Sequence, residues 1–467
     1  MLRVAVIGAS GFVGRALVQS LLDDQDLQVT AISRNSIEIA HPAAAERLRW
    51  VSCDLHNLKQ LEEALAQHEA AVYLVHSMLP SARLNQGSFA DFDLSLADNF
   101  ARAAAQAGID HVVYLSGLIP DGAVLSEHLR SRLEVEEVLR CYLPHVTSLR
   151  TGIIIGAAGS SITILFNLVR RLPFMLCPQW TRNLCQVISL RDVLRTITLC
   201  LKDRQLQGFT WDIGAEPPIS YLDMMKEMAR LLRLRRWFQT LPLMTVGLSR
   251  LWVRLVSGAP KDLVYPLIDS LKSSMLVRDD HRFPTPVPPF ENFAHAVERL
   301  TPELQHDLAP RPHAFKLSLF KGKQKYVRSI QRLPLPSGRD ARWVAEEYLR
   351  YLPKLLPFLI TIVRRDHFVH MQIKFTRIDL LVLRHAPERS RQNRQVFYIV
   401  GGLLVSRHGN SRARLEIRET LGGKACLAAV HDYRPSLPWP IYRLSQAEVH
   451  RVFMKRLALR LAAEPRS

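Results

Sequence analysis

The sequence has no apolar run long enough to cross a bilayer. Stretches such as Phe358–Val363 are cut by Pro or Arg well short of the roughly 18 residues that a span needs. It also has no cysteine pair at CxxC spacing. The six cysteines (Cys53, Cys141, Cys177, Cys185, Cys200, Cys426) are scattered, so neither a metal-ligand pattern nor a disulfide framework is visible, and reduced thiols are expected. No basic region followed by an apolar stretch opens the chain, as a secretory signal would; a strand pattern begins at Leu2. The expectation is a cytoplasmic protein. No RNP-like aromatic motif, zinc finger or helix-turn-helix is present, which argues against nucleic acid as a partner.

What the chain does have is size and an uneven charge. Its 467 residues call for two or three domains, and 48% apolar content supplies sizeable cores. Residues 1–110 carry 8 Lys and Arg against 13 Asp and Glu; residues 313–467 carry 30 against 11. The whole formal charge of +19 is matched by the last third alone. That break places a boundary at 312/313, between a domain over 1–312, whose substrate-side elements begin near 150, and a basic domain over 313–467.

Residues 1–115 alternate apolar strand-like runs (Leu2–Ile7, Leu27–Ser33, Leu48–Asp54, Ala71–His76, Val112–Ser116) with helical stretches (Phe12–Leu22, Leu58–Gln67, Phe89–Gly108). Unbroken apolar strands between helices predict an α/β fold, a doubly wound parallel sheet covered on both faces.

The first strand runs into Gly8-Ala-Ser-Gly11-Phe-Val-Gly14 and then a helix. Gly8 permits the tight turn, Gly11 lets backbone approach a pyrophosphate, and Gly14 allows close helix–strand packing. Phosphates then meet the free N–H groups of a helix N-terminus. Ser10, Phe12 and Val13 lie in the same loop and are counted as cofactor-binding. The motif in this setting predicts a Rossmann nucleotide-binding unit for NAD(P). An NAD site would place Asp or Glu at the end of the second strand, whereas this chain has Ser33-Arg34-Asn35. Arg34 can fork onto a 2′-phosphate, so NADP is expected, with NAD as the alternative. Asp54, with Leu55 beside it, ends the third strand where the adenine edge would lie.

These pieces resemble the atypical extended short-chain dehydrogenase/reductases, the NmrA-like and epimerase-like group. The resemblance covers about residues 1–300. It rests on GASGFVG at 8–14, SCDL at 52–55, VHSM at 75–78, Asn99 in a long helix, YLSG at 114–117, HLRSRLEVEEVL at 128–139 and LRTGIIIG at 149–156. In that family a Ser polarises the substrate carbonyl and the Tyr of a YxxxK pair moves the proton, while the Lys binds the nicotinamide ribose. The resemblance puts Ser116 in the serine's place. The YxxxK slot reads His128-Leu-Arg-Ser-Arg132, so His stands for Tyr and Arg for Lys. At i and i+4 both can face one cleft. A histidine with a pKa near 6.5 can pass a proton near neutrality. The alternative is that Arg132 pairs with Glu136 and His128 lies idle. His76 and Ser77 end the fourth strand, beside the expected ribose. The implied activity is an NADP(H)-dependent reductase or isomerase of an apolar carbonyl compound; the alternative is a non-catalytic NAD(P)H sensor or assembly factor.

After residue 313 the order is strand, helix, several strands, and a long helix over Ser445–Ala463. This pattern resembles the START/polyketide-cyclase helix-grip fold, an α+β domain in which a curved sheet wraps the last helix. Val449, Val452, Phe453, Leu457 and Leu461 are expected on that helix's apolar side. The basic excess fits an anionic membrane surface, with the apolar stretches Leu241–Leu248 and Leu355–Val363 nearby, and hence a peripheral position on the inner membrane face; a solvated basic surface explains it equally.

Overall fold

The computed structural model describes residues 1–76, 84–122, 124–241, 265, 268–284, 288–306, 326–406 and 412–464. The fold is α/β. It comprises two compact units, one made of residues 1–78 and 99–317, the other of residues 79–98 and 318–467.

The first unit is built on a seven-stranded sheet in which every pairing is parallel. Its order is Thr210–Ile213, His145–Thr151, His111–Gly117, Ala70–Tyr73, Leu2–Ile7, Leu27–Ser33, Leu48–Ser52. The central strands are apolar throughout because both faces are covered: Val4, Ala5, Val6 and Ile7 are all fully buried. From Leu2–Ile7 the chain winds outward through two strands and then returns on the other side at Ala70–Tyr73. That reversal makes a crevice beyond the strands' C-terminal ends, the usual ligand position in such sheets. The helix Phe12–Leu22 buries Gly14, Leu17, Val18, Leu21 and Leu22, one face at three- and four-residue spacing. A second core surrounds the helices Ser160–Arg171, Tyr221–Leu231 and Phe293–His306 and forms the substrate side.

The second unit is an eight-stranded sheet in the order Ile360–Arg365, Phe368–Ile373, Asp379–His385, Arg394–Gly401, Arg414–Thr420, Ala425–Tyr433, Val327–Pro334, Leu84–Gln86. All pairs are antiparallel except the last, where Leu84–Gln86 runs parallel to Val327–Ser329. The helices Ala341–Leu355 and Gln446–Ala462 supply Tyr348 and Phe453, whose rings meet edge-on at 4.9 Å in this unit's core. Residues 79–98, which the sequence reading left inside 1–312, thus cluster with the C-terminal residues. Gly87 makes this possible, since a Cβ there would collide with the Ile330 carbonyl oxygen. Asp98 and Ser95 then anchor the buried Arg418, at 3.1 Å from its Nε and Nη2 respectively.

Two expectations need correction. Val449 and Val452 are 44% and 40% exposed; the buried side of the closing helix is Ala447, Phe453, Met454, Leu457 and Leu461. The sheet takes up the three- and four-residue rows that start at Phe453 and Met454, and the two valines fall outside them. Leu355–Val363 is not one apolar patch, because it ends a helix and opens the edge strand Ile360–Arg365. Of Leu241–Leu248, only Leu241 is among the described residues, at the end of the strand Trp237–Leu241. Part of the basic excess is internal. Burial opposes ionisation of Glu416, yet Arg418, Arg394 and Arg414 around it hold its carboxyl well below the usual range. No described helix is long and apolar enough to cross a membrane. The six cysteines are free, and all but Cys141 are buried.

Candidate functional site

A cavity of about 430 Å³ opens at the crevice of the first unit. Its polar end is built by the glycine loop. Gly8 has φ +90°, which glycine adopts without strain, and Gly11 N–H donates back to the Gly8 carbonyl at 2.9 Å. Gly11 is the N-cap of the helix Phe12–Leu22, with no side-chain cap and no acidic residue in the first turn. The helix N-terminus therefore offers bare N–H groups to an anion. Around Gly11 an added Cβ would meet only the Gly8 carbonyl oxygen, at 3.2 Å. At Gly14 it would strike backbone, the Gly8 carbonyl oxygen and Ala9 Cα. One glycine leaves room for a ligand and the other lets the helix close on the strand.

Ser116 comes from the strand His111–Gly117. It is buried and lines the cavity, and its Oγ has no hydrogen-bond partner among the described residues. An orphaned buried hydroxyl is costly unless something else engages it, so its position fits a ligand group. His128 and Arg132 line the same cavity from the helix Glu127–Arg140. Ser126 caps that helix by accepting from Leu129 N–H at 3.2 Å. Its Oγ also meets Ser270 Oγ at 2.9 Å, and Ser270 Oγ lies 3.3 Å from His128 Nδ1.

The expectation of an ordinary histidine pKa does not hold. Burial above all, then the Arg132 charge and the neighbouring His76, push His128 down to about 3. The ring is neutral at physiological pH. His76 also lines the cavity and, although solvent reaches it, crowding by protein and the Arg132 cation shift it the same way. Glu136, the alternative partner for Arg132, is engaged by other arginines. Glu136 receives Arg150 in a two-pronged contact at 3.0–3.2 Å, with Arg140 at 3.6 Å.

Of the remaining candidates, Arg34, Asp54 and Leu55 lie outside the cavity wall. Arg34 sits exposed just past the second strand, its side chain without a partner among the described residues, and its carbonyl accepts from Ser52 Oγ at 2.9 Å. Asp54 accepts from His56 N–H at 3.1 Å, and Leu55 offers its carbonyl to Asn99 Nδ2 at 2.8 Å. Asn99 thus fixes the loop that follows the third strand. Ser10 is half-buried in the glycine loop, while Phe12 and Val13 line the cavity. Ser77 lies outside the described residues.

Sequence reasoning missed the cavity's other end. Ile162, Leu165, Trp180, Met224, Met275 and Phe293 make it apolar. Tyr221, buried among them, is hydrogen-bonded to Cys185, and burial raises its pKa well above the usual value, so the phenol keeps its proton. These residues come from distant segments, and no local pattern marks them. Only Tyr221 had a signal, as the first residue after the Ser220 cap of the helix Tyr221–Leu231. Among the described residues no cluster of three His, Cys, Asp or Glu stands ready for a metal.

Bare helix N–H groups, an open Gly11, an orphaned Ser116 hydroxyl and no acid past the second strand together fit a dinucleotide. Residues 8–142 match the NAD(P)H-binding family. Within the first unit, these residues form a Rossmann fold of the NAD(P)H-binding type. The unit's fold is shared by several solved nucleotide-binding proteins. It resembles a Staphylococcus aureus nucleoside-diphosphate-sugar epimerase (12% identity, TM-score 0.51, 64% of this chain and all of that one). It also resembles the Citrobacter sp. triphenylmethane reductase complexed with NADP(H) (15%, 0.51, 64% and 99%). A third likeness is to the Escherichia coli NADPH-dependent quinone oxidoreductase complexed with NADPH (19%, 0.50, 64% and 99%). At these identities the likeness is one of fold. In sequence, 119 residues are 29% identical to the auxiliary protein GraX of Staphylococcus aureus (strain NCTC 8325 / PS 47), covering 25% of this chain and 36% of that protein.

Proposed function

We propose that this protein is an NADP(H)-dependent reductase of an apolar carbonyl or quinone-like compound. The observation that carries the reading is the continuity of one cavity from the glycine loop, past the unpartnered Ser116 hydroxyl, to an apolar end. Preference for NADP over NAD is supported by Arg34, free and exposed past the second strand, and by the two fold relatives solved with NADP(H). The bound cofactor would supply hydride. Gly8, Gly11 and Gly14 would shape its phosphate seat, Arg34 would hold the 2′-phosphate, and Arg132 would hydrogen-bond the nicotinamide ribose.

Ser116 and His128 hold the substrate oxygen. Near neutrality the ring is not an imidazolium acid; it acts as a neutral hydrogen-bond donor, a role that depressed histidines do fill. The serine pair supports one tautomer. If Ser126 Oγ–H donates to Ser270, then Ser270 donates to Nδ1 and leaves the proton on Nε2. The apolar end excludes water and selects the substrate by burial. The test is NADPH oxidation with a panel of aldehydes, ketones and quinones. His128→Phe should cut turnover about 10²–10³-fold, as removal of one oxyanion donor does, and leave cofactor affinity in place. Tight NADPH binding without turnover across the panel supports the second reading, a non-catalytic sensor or assembly factor. That reading is favoured by the absence of Tyr and Lys at 128 and 132 and by the low His128 pKa.

A further inference from the structure

The second unit exposes apolar side chains at one end of its sheet, where two connections meet. The loop before the strand Ile360–Arg365 carries Phe358, 89% exposed, and Leu359, 48% exposed. The hairpin between Phe368–Ile373 and Asp379–His385 carries Phe375, 92% exposed, and Ile378, 51% exposed. The two are tied together: Lys374 N–H donates to the Leu359 carbonyl and Lys374 Nζ to the Pro357 carbonyl, each at 2.9 Å. Leu403, also exposed, adjoins them, its N–H donating to the Asp379 carbonyl at 2.8 Å.

Phenylalanines so fully in water contribute nothing to the core, and a hairpin tip is not bound to carry one. Cations frame them. Lys354 lies four residues before Phe358, in the last turn of the helix, and Arg377 is in the hairpin; both are exposed and neither has an ion-pair partner among the described residues. Lys374 lies 5.3 Å from the Phe375 ring centroid. The acid at this end, Asp379, is engaged by His370 at 3.1 Å and Gln372 at 2.9 Å. Exposed aromatic tips with exposed cations on the same two connections, on a C-terminal segment with 30 basic and 11 acidic residues, match the two-part chemistry of an anionic bilayer. The rings enter the acyl boundary while the cations stay among the headgroups.

We propose that this end of the C-terminal unit docks on anionic membrane, with Phe358 and Phe375 as the inserting side chains. Two short tips suit a fluid interface better than a protein partner, which would offer a pocket for each ring. The proposal stands apart from the reductase reading and does not depend on it.

The test is co-flotation of the full chain with vesicles of equimolar phosphatidylcholine and phosphatidylglycerol, beside vesicles of phosphatidylcholine alone. Wild type should float with the first and not the second. Phe358→Ser with Phe375→Ser should weaken partitioning at least tenfold, since each ring lost from the interface removes a substantial apolar burial. Lys354→Gln with Arg377→Gln should weaken it several-fold and blunt its salt sensitivity. The circular dichroism spectrum and NADPH affinity of each variant should match wild type, because the replaced side chains face solvent. Absence of binding to anionic vesicles overturns the proposal. So does a double phenylalanine variant that binds like wild type, since binding would then be electrostatic adsorption without insertion of the rings.

Discussion

Gly11 and Gly14 stand three residues apart, yet the structure gives them opposite tests. Gly11 has φ −74° and ψ 175°, an extended conformation that valine adopts readily. Its added Cβ would press only on the Gly8 carbonyl oxygen at 3.2 Å, which a shift of a few tenths of an ångström relieves. Gly11→Val should therefore cost less than about 1 kcal/mol of stability, no more than about 2–4 °C in Tm. The same branched side chain stands where the pyrophosphate would meet the helix N–H groups. Losing two hydrogen bonds to a charged group, at about 1.5–3 kcal/mol each, amounts to roughly 10²–10⁴-fold in affinity. Gly14→Ala places its Cβ against backbone that cannot give way, so about 1–3 kcal/mol of overpacking strain is expected. NADPH titration by calorimetry and thermal melting, run on both variants, separate the cases. Gly11→Val should bind poorly and melt normally; Gly14→Ala should fail in both. A folded Gly11→Val protein with wild-type NADPH affinity would refute the placement of the phosphates.

Arg34→Ala should weaken NADPH by about 1–3 kcal/mol and leave NADH nearly untouched, measured by parallel titrations; equal losses would place Arg34 away from the 2′-phosphate. Ser116→Ala should lower turnover while raising stability slightly, since an orphaned buried hydroxyl is removed; a lower Tm would mean that Ser116 has a structural partner. With a folded pKa of about 3 against about 6.5 unfolded, His128 takes up a proton only on unfolding. Its contribution to stability is thus complete above pH 6.5 and is lost as pH falls toward 3, at up to about 1.4 kcal/mol per pH unit. Urea titrations across that window should show a shallower acid decline for His128→Phe, and identical slopes would mean that the ring is solvated.

The central strands and the glycine loop were legible because each is a local pattern. Leu2–Ile7 is apolar at every buried position, and GASGFVG joins it directly to an amphipathic helix. Ser116, His128 and Arg132 were found through motif positions, and the structure does bring them to one cavity. The His128 pKa was not legible, since desolvation depends on what Ser270, Arg132 and His76 place around the ring. Nor was the strand Leu84–Gln86, whose three residues carry no periodicity and gain their conformation from Val327–Ser329. Val449 and Val452 misled because a closing helix with apolar residues on several sides leaves its buried face to be chosen by the sheet.

That short strand bears on how the chain is made. Leu84 and its partner Val327 are about 240 residues apart, so at roughly 5–20 residues per second the ribosome needs about 12–50 s to deliver the second after the first. Through that interval the Leu84–Gln86 backbone has no sheet to join, while the parallel sheet from Leu2 to Ile213 can already assemble. Closing so long a loop adds only a few kcal/mol of entropy, since the cost grows as the logarithm of length. The burden is therefore kinetic rather than thermodynamic. A nascent chain carries this strand unpaired until Val327 emerges, and a C-terminal fragment cut at residue 313 would display the bare Val327–Ser329 edge to its neighbours.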